Sequence, residues 1–211
     1  FGTSALSDNE TGHSNVAVGA FALDANTTAN NNTAVGISAL GANTTGGSNL
    51  AVGALALESN TTANFNTGVG VLALNVNTTG TSNTAIGYGT LDANTTASNN
   101  TAVGHNSLTS NTGTDNTALG ADALHANTTA SYNVAVGRSA LVTNTTGAEN
   151  TGIGYAVLGV NTTGSNNVAM GSGALDANTT ASNNTALGTS ALTSNTTGTS
   201  NCAVGTNALR D

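Results

Sequence analysis

Basic side chains are almost missing from this chain: there are two in 211 residues, against ten acidic ones. Proteins that bind nucleic acid through its phosphates need several Lys or Arg, so that class of function is not expected. Pro and Trp are absent, and Cys202 is the sole cysteine, which rules out a disulfide within the chain. Charged residues make up 6%, far below the roughly 25% of an average soluble domain. Scarce charge also argues against disorder, because disordered chains pair low hydrophobicity with dense charge. Here the net charge is −8 and 37% of residues are apolar. No apolar run is long enough for a transmembrane helix, so membrane insertion is not expected. Phe1 and Asp211 both fall inside a repeat, and no initiating Met, signal peptide or capping element is visible. The expectation is that 1–211 forms a single repeat solenoid without caps, a window of a longer protein.

What fills the space is Asn, Thr, Gly and Ala, and they repeat. The segment Asn-Thr-Ala-Val-Gly recurs with its glycine at Gly19, Gly36 and onward to Gly205. Each step is 17 residues except the 16 between Gly104 and Gly120. Counting from the first Asn, the unit reads Asn-(Thr/Val)-(Ala/Gly)-(Val/Ile/Leu)-Gly-x-x-Ala-Leu-x-x-Asn-Thr-Thr-(Ala/Gly)-x-x. Position five is Gly throughout, as in Gly19, Gly36 and Gly104. Position nine is Leu throughout, as in Leu23, Leu40 and Leu108. Asn holds position one (Asn15, Asn32, Asn100) and position twelve (Asn26, Asn43, Asn111).

A 17-residue unit cannot hold two helices, and Asn, Thr and Gly at this density oppose even one. Short runs such as Thr-Ala-Val suit brief strands between turns. One coil buries little by itself, but stacked coils bury a continuous column. The fold class expected is therefore all-β: a parallel β-solenoid, or β-roll, of about twelve 17-residue coils. Val18, Val35, Ile86 and the other apolar residues of position four pair with the Leu column to suggest two large core side chains per coil. Asn side chains can satisfy backbone groups left open by tight turns and can bond the same amide in the next coil. The fixed Gly points to a backbone conformation that a side chain would forbid. Position fifteen alternates Gly12, Ala29, Gly46 and Ala63, which marks a 34-residue unit duplicated in tandem.

The unit Asn-Thr-Ala-Val-Gly-x-x-Ala-Leu-x-x-Asn-Thr-Thr-Gly resembles repeats of bacterial and phage tail-fibre-like proteins, many of which end in an endosialidase-type chaperone domain. It is also similar to a lengthened head repeat of trimeric autotransporter adhesins, which carry a comparable Asn-x-Ala-(Ile/Val)-Gly strand. The resemblance implies a structural fibre or adhesin segment, extracellular, at a bacterial cell or virion surface. It implies a rigid spacer whose partner is itself, as a parallel homotrimer or by lateral packing. A cell-surface glycan is a further partner to consider, since exposed aromatics such as Tyr88, Tyr132 and Tyr155 can stack on sugars.

Catalysis finds no motif. His13, His105 and His125 stand at three different repeat positions, and Asp24, Asp92 and Asp176 share position ten but lie coils apart. A Ca²⁺-binding repeat would place an acid in every coil. No metal or cofactor is expected, and the chain does not read as an enzyme. Cys202 replaces the usual Thr of position two and reads as a partly buried small residue. The Asn-Thr-Thr triplets are formal glycosylation sequons, but an inward ladder amide could not carry a glycan. The Thr columns at positions thirteen and fourteen offer an alternative, an ice-binding surface, for which only one column can point outward.

Position three poses the remaining question. Positions two and four share one face of the strand and position three points the opposite way. Yet position three, including Ala85, Ala102 and Ala118, is always Ala or Gly. One reading makes position four core and Ala85, Ala102 and Ala118 a close-packed interface with a neighbour. The other turns position four outward and presses the Ala column on the opposite wall. Either leaves one apolar column to be covered from outside the coil.

Overall fold

The computed structural model describes residues 1–210 and contains no helix among them. It divides into two compact units, Phe1–Ala102 and Val103–Asp211. Strands β1 (Val16–Val18), β2 (Thr33–Val35), β3 (Leu50–Val52), β4 (Thr67–Val69) and β5 (Thr84–Ile86) come first, then β6 (Thr101–Val103). They are followed by β7 (Thr117–Leu119), β8 (Val134–Val136), β9 (Thr151–Ile153), β10 (Val168–Met170), β11 (Thr185–Leu187) and β12 (Cys202–Val204). Strand order is chain order and pairing is parallel, as a β-solenoid requires. Register follows the repeat: Val16 faces Thr33, Ala17 faces Ala34 and Val18 faces Val35.

Each coil has one strand of three residues, and everything else is turn. In every strand the middle residue is buried and the two flanking ones are not. Position three is thus the inward column, with Ala34, Ala51, Ala135 and Ala169 at 0% exposure. Position four points out: Val18, Ile86, Leu119 and Met170 are 39–47% exposed. The reading that placed position four in the core is corrected, and the flattened coil is the arrangement adopted. Ala is required because the Leu column lies directly opposite. A Cβ on Gly68 would stand 3.2 Å from the Ala73 carbonyl and 3.3 Å from Leu57 Cγ, which leaves no room for a larger side chain.

The core is consequently thin, built from Ala at positions three and eight and one Leu per coil. Leu23, Leu40, Leu57 and Leu74 in the first unit and Leu124, Leu141 and Leu158 in the second are fully buried. Burying one Leu contributes about 1.5–3 kcal/mol. That Leu also adopts a left-handed backbone, φ 51° at Leu23 and 52° at Leu40, which costs about 1–2 kcal/mol. The backbone cost offsets much of what the Leu contributes, so the buried Ala columns and the hydrogen bonds between coils matter beside it.

Two turn geometries alternate where Gly and Ala alternate. In the Gly form, the N–H groups of Thr44, Thr45 and Gly46 converge on the Thr61 carbonyl at 2.9, 3.2 and 3.3 Å. In the Ala form only one such bond forms, from Thr61 N–H to Thr78 O at 3.2 Å. A Cβ on Gly46 would collide with the Ala63 carbonyl, so the tighter form needs Gly. The 34-residue duplication is thus visible in the backbone as well as in the sequence.

Candidate functional site

The two Asn columns are the most ordered polar feature of the molecule, and both face inward. At position twelve, Asn43 Nδ2 donates to Asn26 Oδ1 at 3.1 Å and to the Gly46 carbonyl at 2.9 Å. Asn60, Asn77 and Asn94 continue the ladder through the first unit at 2.9–3.1 Å. In the second unit Asn127 donates to Asn111 at 2.7 Å, and Asn144, Asn161 and Asn178 follow. Position one behaves differently. Its Oδ1 accepts from the backbone N–H of the Asn one coil on, as with Asn32 N to Asn15 Oδ1 at 2.9 Å and Asn100 N to Asn83 Oδ1 at 3.0 Å. Its Nδ2 crosses to position fifteen, Asn32 to Gly46 O at 2.8 Å, so both columns share one carbonyl.

Asn26, Asn43, Asn100 and Asn111 are at 0% exposure, and Asn15, nearer the start, is half-buried. At position twelve the buried Nδ2 groups of Asn43, Asn60 and Asn77 have both hydrogens engaged, which leaves them nothing to offer a ligand or a glycan. The shortened coil adapts at Asn111, whose Nδ2 closes on the Gly113 carbonyl two residues away at 2.7 Å. Its neighbours elsewhere in the column reach three residues. Gly19, Gly36 and Gly104 have φ of 134°, 144° and 131°, and a Cβ on each would land on the carbonyl of the next Gly in the column. Leu23, Leu40 and Leu108 complete the buried set.

Ala85, Ala102 and Ala118 are wholly enclosed at 0% exposure. They cannot meet a neighbouring molecule; they are the inner wall. The column free to do so is position four. It contains no charge at any repeat, and position two beside it holds Thr, Val, Leu and Cys202. Cys202 is exposed rather than partly buried, because position two faces outward with position four.

The scattered titratable groups stay scattered. Among the described residues no group of three or more His, Cys, Asp or Glu is close enough to hold a metal ion. Asp92 is the one carboxyl with a resolved shift: partial burial pushes its pKa up. At position thirteen the Thr hydroxyls are spent on the next coil, Thr44 Oγ1 donating to Thr61 O at 3.1 Å. Position fourteen, with Thr28, Thr45, Thr62, Thr79 and Thr96, is the exposed rank.

Sequence reasoning missed the left-handed residues at positions seven, nine and seventeen of each coil, such as Phe21, Leu23 and Asn31. A signal existed for two of them. Position seventeen holds Asn31, Asn99, Asp115 and Asn183, and position seven holds Gly89, Asn106, Asp122 and Asn207; these are the residue types that tolerate this conformation. Nothing marked the Leu. Comparison with family models, characterised proteins and solved structures returns no match.

Proposed function

We infer that the chain is a stretch of structural fibre or adhesin at a bacterial cell or virion surface, a stiff spacer that assembles with copies of itself. The observation that carries this reading is the outward apolar column of position four. Val18, Val35 and Ile86 in the first unit, and Leu119 and Met170 in the second, are 36–47% exposed. Aliphatic side chains repeated at every coil make a stripe rather than isolated exposed residues, and stripes of this kind usually mark interfaces. Stiffness is supported within each unit, where Asn side chains as well as backbone tie most neighbouring coils together; the position-twelve ladder stops at Asn94 and Asn178, whose Oδ1 atoms have no partner. The parallel trimer follows from the resemblance to autotransporter heads.

Light scattering on the purified chain tests the assembly. A mass that is a multiple of 20.3 kDa at micromolar concentration is expected, and a stable monomer would end this reading. An ice-binding role has one observation in its favour, the exposed Thr rank of position fourteen. Thermal hysteresis decides it, and no effect at high micromolar protein removes that reading. A glycan array probes the remaining partner class.

A further inference from the structure

Position sixteen, one residue past the alternating Gly and Ala, holds a pattern of its own. In the Gly-form turn four successive N–H groups face the next coil and need acceptors. Those of Thr44, Thr45 and Gly46 reach the Thr61 carbonyl, and the fourth, Gly47 N–H, donates to Asn64 Oδ1 at 2.6 Å. His13 N–H does the same to Asn30 Oδ1 at 2.8 Å, and Thr81 N–H to Ser98 Oγ at 2.9 Å. In the second unit Thr114 N–H donates to Ser131 Oγ, Ala148 N–H to Ser165 Oγ and Ser165 N–H to Ser182 Oγ, each at 3.0 Å. Every donor follows a Gly at position fifteen, and every acceptor is the half-buried position sixteen of the following coil.

The sequence keeps to this division throughout. A coil that follows a Gly coil carries Asn or Ser at position sixteen: Asn30, Asn64, Ser98, Ser131, Ser165 or Ser182. A coil that follows an Ala coil carries Gly47, Thr81, Thr114, Ala148 or Thr199 there. Over most of the chain two explanations give the same pattern: the polar residue belongs to Ala coils, or it answers the coil before it. Gly147 and Gly164, which stand in consecutive coils, separate the two. Ser165 lies in a Gly coil, yet its Oγ takes the Ala148 N–H while its own N–H goes on to Ser182. The acceptor is therefore set by the preceding coil and not by its own turn.

We propose that position sixteen is a matching device between neighbouring coils, and that it makes two coils the step by which this solenoid is lengthened or shortened. A Gly coil takes as its successor a coil with Asn or Ser at position sixteen. Where Gly and Ala coils alternate, removing 34 residues retains every match. Removing one Ala coil brings up a successor suited to a different neighbour. Where the alternation slips, Ser165 supplies the acceptor that the slip demands. The inference goes beyond the fibre reading and stands without it.

Amide exchange in the full chain, followed by NMR, tests the match at Gly47. Asn64→Ala should speed exchange of the Gly47 N–H at least ~10-fold, and Asn64→Ser should leave it near the parent value. Two deletions test the step. A chain lacking residues 14–30 sets Gly47 against His13, with no acceptor, whereas one lacking 14–47 sets Asn64 there. The longer deletion should unfold at the higher urea concentration although it has lost more coils, and Gly47→Ser should raise the midpoint of the shorter one. Should Asn64→Ala fail to fold, these three chains decide. Unchanged Gly47 exchange in a folded Asn64→Ala chain overturns the match. A 14–30 deletion at least as stable as the 14–47 deletion, or one that Gly47→Ser does not stabilise, overturns the two-coil step.

Discussion

Gly36 and Asn77 show how narrowly single residues are specified in a coil of this kind. Gly36 has φ 144°, and a methyl group there would fall on the Gly53 carbonyl, which is backbone and cannot move aside cheaply. Gly36→Ala is therefore expected to cost about 3 kcal/mol or more, read as a lower midpoint in urea unfolding. Asn77 donates to Asn60 Oδ1 at 3.1 Å and to Gly80 O at 3.0 Å, and accepts from Asn94 at 2.9 Å. The Gly80 carbonyl keeps a second donor in Asn66, at 2.8 Å, so truncation does not orphan it. Asn77→Ala should then cost about 1–3 kcal/mol, mostly from Asn94 Nδ2 losing its acceptor across a coil, since Asn60 Oδ1 keeps Asn66 Nδ2 at 3.4 Å. A stability loss below measurement error would mean that the ladder contributes little.

Asp92 gives a pH signature at the same scale. Its pKa is raised by burial, so the folded state holds its proton more tightly than the unfolded one. The carboxylate therefore costs stability above the folded pKa, and that cost is relieved as pH falls through the window down to the unfolded value. Asn75 occupies the same repeat position, so Asp92→Asn fits the fold. The variant should be slightly more stable than the parent at pH 7, with the gap closing toward pH 3. The effect stays small because the group is still mostly solvated. A gap that widens on acidification would contradict the assignment.

At the scale of the strand, the assignment of faces can be checked directly. Ala85 is enclosed at 0% and Ile86, the next residue, is 40% exposed. Ala85→Val forces extra volume against the Leu column and should cost about 1–3 kcal/mol. Ile86→Thr should change monomer stability by less than about 0.5 kcal/mol. Equal effects would mean the strand has no preferred face. The strand, its repeat and the Asn columns could all be read in the sequence, because they depend on period and on residues with narrow uses. Which face was inner could not. Val18 and Ala17 are both apolar, and hydrophobicity favours the larger one as core. What reverses the choice is thickness: the opposite wall, carrying Leu23, lies so close that only Ala or Gly fits at position three. That distance is a property of turns, and these depend on left-handed residues such as Leu23 and Leu40, whose identity does not announce the conformation.

For the molecule as a whole, resistance to proteolysis follows from how main-chain bonds are distributed. Trypsin has two targets, Arg138 and Arg210, because the chain has no other basic residue. Arg138 is exposed, so access to the side chain is not the barrier. A protease must also draw several residues around the scissile bond into an extended form, and here they are held. Gly137 N–H donates to Leu119 O at 2.7 Å, Ser139 N–H to Ala121 O at 3.0 Å, and Arg138 O accepts from Ala156 N–H at 3.1 Å. Freeing that segment breaks bonds to the coils on both sides and uncovers Ala140 and Leu141, which are at 0% exposure. Opening should therefore require a sub-global event rather than local fraying. Prolonged trypsin treatment of the native protein is expected to leave the bond after Arg138 intact by mass spectrometry, with cleavage there appearing only once denaturant unfolds the coils. Rapid cutting under native conditions would show that these coils open independently, and a stiff spacer could not be built from them.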